Sequence, residues 1–186
     1  MSGSRTFYAQ AQTRGTSAIG LGINISTLKS EVEIDGTPSK SETDDVKLSL
    51  GYGYFLKDNS KLGFDLSYGK REGGGTTNSY GGLIYYQQYY RLIKTLYAFG
   101  GGRVGYDYSE TKIPPASPHS NAYALGAYGG ISWFLAKRIA LEAELLSADI
   151  RYSETKSEFL KTTTTNFNLN TTGVISGLDF KIFFLF

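Results

Sequence analysis

The stretch Gly173–Phe186, GVISGLDFKIFFLF, decides how the rest of the chain is read. Taken by alternate residues, it sets Val174, Leu178, Phe180, Ile182, Phe184 and Phe186 on one face, with Gly177, Asp179 and Lys181 on the other. This is a strand of period two with one wholly apolar face. A soluble sandwich can hold such a strand, but it rarely finishes on a bare aromatic with no polar tail to solvate the carboxylate. Here the sequence stops at Phe186.

Outward from that strand, composition points the same way. The 186 residues suit one domain with one core. Fifteen Tyr, 11 Phe and 23 Gly stand against one Met, one Trp, one His and four Pro. Aromatic side chains favour pleated surfaces, and glycine suits strands that bend or line a crowded interior. With no cysteine there is neither a disulfide framework nor a thiolate metal site to read. Nineteen basic and 17 acidic residues are scattered rather than blocked, which leaves no nucleic-acid footprint. The longest apolar run, the final IFFLF, falls far short of the roughly 20 residues of a spanning helix. A helical membrane protein is excluded. A membrane barrel is not, because its strands alternate.

Eight strands follow in order. The first runs from Ser17, with Ile19, Leu21, Ile23 and Ile25 on one face; its apolar phase then moves to Leu28, Val32 and Ile34, which predicts a bulge near Ser26 or Thr27. The second spans Val46–Phe55. The third starts near Lys61 and splits Leu62, Phe64, Leu66 and Tyr68 from Gly63, Asp65, Ser67 and Gly69. The fourth, Ser79–Arg91, carries Tyr on both faces, so its register stays open. The fifth sets Leu96, Ala98, Val104 and Tyr106 against Tyr97, Phe99, Arg103 and Asp107, with Gly100-Gly101-Gly102 allowing a steep bend. The sixth is Ala122–Phe134. The seventh, Arg138–Tyr152, sets Ile139, Leu141, Ala143 and Leu145 against Ala140, Glu142 and Glu144. The eighth runs from Thr163 to Phe186.

Long polar connections are predicted at 35–45, 71–78, 111–121 and 153–161, and short ones near 56–60, 91–94 and 134–137. All four prolines then fall outside strands. An even strand number with alternating long and tight connections is the pattern of an up-and-down membrane barrel. Residues 1–15 form an N-terminal tail and 16–186 the barrel. Ala9-Gln10-Ala11 in the tail has the A-x-A form of a signal-peptidase site without the apolar region that should precede it; it is either the remnant of an export signal or a chance match.

Alternation alone does not say which face is inside. A soluble lipocalin-like barrel binding an apolar ligand alternates too, with the apolar side inward. Size favours the other orientation: eight strands leave an interior just wide enough for side chains. The Leu, Ile, Tyr and Phe faces are too bulky for it, whereas the Gly, Ser and Ala faces fit. The expected fold is therefore an all-β, eight-stranded antiparallel up-and-down transmembrane β-barrel. Lys47, Asp65, Arg103, Asp107, Glu142, Glu144, Asp179 and Lys181 then share the lumen, where both signs should pair in a charge network that fills the tube. Tyr52, Tyr54, Tyr68, Tyr106 and Trp133 fit interfacial girdles.

The chain resembles the small outer-membrane barrels called porin-family, OmpA-like or OmpX-like. The resemblance rests on Gly53–Asn59 (GYFLKDN), Ser132–Glu144 (SWFLAKRIALEAE) and the ending GLDFKIFFLF. It implies a bacterial outer-membrane location, contact with membrane lipid and lipopolysaccharide, a monomer, and no cofactor. It further implies that Phe180, Ile182, Phe184 and Phe186 form the C-terminal signal read by the barrel-assembly machinery. Gln87-Gln88 depart from the basic residue expected before paired tyrosines.

Catalysis finds little support. The single His119 sits in PPASPHSN beside Ser120, read as a Pro-rich loop tip. Asp35, Glu42, Asp44 and Asp45 match no calcium-loop spacing and read as solvated charge. The role expected is structural or surface-interacting through four outer loops. A narrow channel for small solutes or ions is the alternative.

Overall fold

The computed structural model describes residues 12–34, 37–73, 75–112, 117–156, 161–171 and 180–186, excepting the side chains of 24–42, 44, 170 and 171. The strands are β1 (Ser17–Ile34), β2 (Thr37–Lys57), β3 (Ser60–Glu72), β4 (Thr76–Arg91), β5 (Leu96–Lys112), β6 (His119–Ala136), β7 (Ile139–Lys156), β8 (Lys161–Thr171) and β9 (Phe180–Leu185). Each pairs antiparallel with its neighbour. The β9 strand closes the ring by pairing with β1 on one edge (Ile19↔Phe184, Ile23↔Phe180) and β7 on the other (Ile139↔Phe184). The β8 strand pairs farther along β7, from Leu146↔Thr171 to Lys156↔Lys161. Together β8 and β9 therefore lie end to end in the eighth place, where one continuous strand was expected. Ala9–Ala11, Asp35, Val174, Leu178 and Asp179 fall outside the described residues.

Orientation follows the volume argument. Leu50 is 53 % exposed, flanked across the sheet by exposed Leu21 and Leu66, and Leu48, Phe64 and Phe180 also face outward. On β2 the outward series runs from Val46 to Leu56, close to the roughly 9–11 residues a tilted strand needs to cross a bilayer. Such a belt would aggregate in water. Closure satisfies its backbone groups inside the sheet, as hydrocarbon demands.

Several expectations are corrected. The predicted loop 35–45 is mostly ladder, for β2 begins at Thr37. Pro38 thus lies in a strand, opposite Glu33, where β2 pairs with β1 alone because its ladder to β3 begins only at Asp44↔Glu72. An edge strand tolerates a missing N–H. The β1–β2 ladder runs from Ser17↔Tyr54 to Ile34↔Thr37 with no register shift, so no bulge lies near Ser26 or Thr27. At that height the hairpin has left the apolar belt, and alternation is no longer imposed on it.

A bulge occurs instead on β7. Gly129 pairs with Leu146 and Gly130 with Glu144, which leaves Leu145 as the extra residue. Below it the odd residues share the outward phase through their neighbours, Leu141 lying between exposed Trp133 and Ile182 while Ala140 and Glu142 are buried; above it Leu146, Ile150 and Tyr152 are exposed. Leu145 therefore does not continue the series Ile139, Leu141, Ala143. The register of β4, open in the sequence, is settled: Tyr80, Ile84, Tyr86 and Tyr90 face out, while Tyr85, Gln87 and Tyr89 are buried inside.

The short-turn end is packed. In the tight β2–β3 turn Asn59 takes φ 62°, a left-handed conformation that asparagine tolerates. Gln12–Thr16 crosses beneath, with Gly15 N donating to Phe55 O and Asn59 N to Gln12 O, both at 2.9 Å. Above this strap Phe55, Tyr89, Tyr97, Phe99, Phe134, Phe183 and Leu185 form the buried core.

Candidate functional site

The lumen has a floor and a chamber. At the floor, Glu142 of β7 is 7 % exposed and accepts hydrogen bonds from Lys61 Nζ (3.2 Å), Gln87 Nε2 (3.2 Å), Ser132 Oγ (3.4 Å) and the Tyr89 hydroxyl. Lys61 of β3, 1 % exposed, lies 3.8 Å from the Phe183 ring centroid and 5.3 Å from that of Tyr89. The Tyr128 hydroxyl donates to Gln87 Oε1 at 3.1 Å. Each ion is thus held by a partner of opposite sign and by polar or aromatic neighbours, which is the condition for burying charge at all.

Above the floor Arg103 of β5 makes a bidentate bond with Asp149 (Nε to Oδ1 3.0 Å, Nη2 to Oδ2 2.7 Å), and its Nη1 reaches Glu144 Oε2 at 2.8 Å. Lys181 pairs with Asp65, and Arg151 with Asp107 at 3.2 Å. These groups line a cavity of about 550 Å³. Among the described residues these charges gather on the wall of the cavity, above the packed floor. Tyr85 lines the same cavity, its buried hydroxyl without a hydrogen-bond partner among the described residues.

Small residues make the arrangement fit. A Cβ on Gly63 would lie 2.5 Å from the Tyr85 hydroxyl, and one on Gly51 would lie 2.6 Å from Lys181 Nζ. Any larger residue at either place would displace a lumenal side chain.

Of the residues singled out in the sequence, Asp65, Arg103, Asp107, Glu142, Glu144 and Lys181 all line the cavity. Lys47 also lines it, exposed and without an ion pair among the described residues; Asp179 is not described. Sequence reading missed Lys61, Tyr85, Asp149 and Arg151, and marked Gln87 only as a departure from the expected basic residue. Lys61 has the odd parity of the inward face of β3, but it stands against a turn. Asp149 and Arg151 lie past the bulge that reverses parity.

The C-terminal residues Phe180, Ile182, Phe184 and Phe186 all face outward. Outside the lumen, aromatic rows flank the belt. Tyr68 packs on Tyr80 and Tyr106 on Tyr123, with centroids 5.3 and 5.2 Å apart, toward the long hairpins. Tyr54, Tyr90 and Trp133 are exposed toward the short turns. His119 is the first residue of β6, rather than part of a loop tip, and stacks at 6.4 Å on Tyr108. Ser120 accepts from Thr155 Oγ1 at 3.1 Å. Asp45 pairs with Arg71 at 2.6 Å. At the β7–β8 end, Lys161 and Lys156 hold the Glu154 carboxyl below its ordinary range.

The family model described as outer membrane protein beta-barrel domain matches residues 3–172. By structure, the chain is similar to the outer membrane protein OprG from Pseudomonas aeruginosa, with a TM-score of 0.57 and 13 % identity, over 95 % of this chain and 98 % of that one. It is also similar to the N-terminal β-barrel domain of OprF from Pseudomonas aeruginosa, with a TM-score of 0.53 and 14 % identity, over 94 % of this chain and all of the other. At these identities the likeness is one of fold. No curated protein matches by sequence.

Proposed function

This chain belongs to the outer membrane protein beta-barrel domain family and is a bacterial outer-membrane barrel, and from that premise we propose that it acts as a closed scaffold presenting four hairpins for surface interaction. The observation that carries the closed reading is the floor: Lys61 and Glu142 span the lumen above a packed aromatic layer and the Gln12–Thr16 strap. Presentation is supported by the length of the hairpins. The β1–β2 ladder continues past the belt to Ile34↔Thr37, and β7 and β8 pair as far as Lys156↔Lys161. Rigid hairpins beyond the membrane are suited to recognition.

In planar bilayers the folded protein is expected to give no steady channel. Sustained open conductance from the intact chain would sink the closed reading and favour the narrow channel, for which the cavity of about 550 Å³ is the supporting observation. Shortening β5–β6 and β7–β8 outside the belt should reduce cell attachment while permeability stays unchanged. The proposed role is non-enzymatic and monomeric. Lipid A of unaltered mass in cells with and without the protein is the expected result, and a changed acyl pattern would reject it. The four outward residues of the closing strand, Phe180, Ile182, Phe184 and Phe186, are the proposed contact for the assembly machinery, and lipopolysaccharide the proposed outer-leaflet neighbour.

A further inference from the structure

The two rims of the barrel carry charge differently. At the long-hairpin end four of the described cations have an acidic neighbour, Lys70 with Glu72, Arg71 with Asp45, and Lys156 and Lys161 with Glu154 at 2.9 and 2.8 Å, while exposed Lys112 makes no ion pair among the described residues. At the short-turn end the strap and the three turns bring together, among the described residues, six cations, Arg14, Lys57, Arg91, Lys94, Lys137 and Arg138, against the one acidic side chain Asp58. All six are exposed. Arg14, Lys57, Arg91, Lys94 and Arg138 make no ion pair among the described residues.

Apolar side chains stand among these cations. Between Arg91 and Lys94, Leu92 and Ile93 are 55 % and 64 % exposed at the tip of a turn fixed by Leu92 N donating to Leu96 O at 3.0 Å. Leu56 precedes Lys57, and Leu135 stands just before Lys137 and Arg138; both leucines are exposed. Every short turn thus offers an apolar group to the edge of the hydrocarbon and a cation at headgroup depth. A water-soluble anionic polymer would have no use for the first.

We infer that the short-turn rim is a binding surface for the phosphates of anionic phospholipids in the leaflet it meets. The exposed girdle residues Tyr54, Tyr90 and Trp133 place that interface at the same level. Basic side chains near an anionic surface attract it additively, and the attraction fades with salt.

Trp133, the only tryptophan, reports on this rim, since it pairs with Leu96 just after one turn and with Leu141 just after another. The full chain would be folded into phosphatidylcholine bilayers containing acyl-brominated lipid, supplied either as phosphatidylglycerol or as phosphatidylcholine in equal amount. Stronger Trp133 quenching by the phosphatidylglycerol form is expected, corresponding to roughly threefold enrichment or more. The preference should vanish at high salt and in the variant K57Q/R91Q/K94Q/R138Q, and survive in the outer-rim variant K70Q/K112Q. Heat-modifiable gel migration would show that each variant is folded. Equal quenching by the two lipids, or a preference that the four-fold variant retains, would overturn the proposal. So would its loss to inorganic phosphate but not to chloride at equal ionic strength, which would mark a site for the free anion.

Discussion

Glu142→Ala is expected to lower stability by about 3–5 kcal/mol, because it strands Lys61 as a buried cation with no counter-ion. Lys61 is 1 % exposed and packed against aromatic rings, and the other carboxylate that acts on it, Asp65, is paired with Lys181. The measurement is urea unfolding in lipid vesicles, followed by Trp133 emission, with a lower midpoint at little changed slope. Replacing both ions, Lys61→Met with Glu142→Leu, should recover most of the loss, since an apolar pair of similar volume often matches a buried ion pair. A loss under about 1 kcal/mol for Glu142→Ala would mean that water reaches Lys61, and the floor would no longer count as a seal.

Leu50→Arg should cost about 2–4 kcal/mol in the same unfolding measurement, the range for a cation near the bilayer midplane on the lipid face of a barrel. Leu50 lies between Leu21 and Leu66, all exposed, in the middle of the outward series of β2. On a water-soluble surface the same change would stay within about 0.5 kcal/mol. The substitution thus measures which solvent the face meets, and a neutral result would reject hydrocarbon.

Wherever lipid and lumen impose opposite demands on alternate residues, the fold was readable. Leu62, Phe64 and Leu66 against Gly63 and Asp65 admit one assignment once volume is considered. The Val46–Phe55 and Ala122–Phe134 strands follow for the same reason, as do the three tight turns. Above the belt both faces meet water, so alternation lapses; Thr37–Asp45 then reads as a loop although it is paired. Tyrosine hid β4, because a phenol suits a lumenal floor as well as an interface. Tyr85 and Tyr89 went inward while Tyr86 and Tyr90 went outward. Half of the Arg103 clamp was visible as Glu144. The other half, Asp149, was concealed by a single extra residue.

That residue, Leu145, makes β7 sensitive to counting. Removing it would restore unbroken parity with Leu146 and Ile150 still outward and Asp149 and Arg151 still toward the chamber. Removing a regular residue beyond it, such as Ala148, would instead swing Asp149 and Arg151 into hydrocarbon and turn Ile150 inward. The half from Ile139 to Ala143, held by β9, would keep its facing. An insertion or deletion in the regularly paired stretch beyond Leu145 acts like a frameshift in space, and two residues there should be borne better than one.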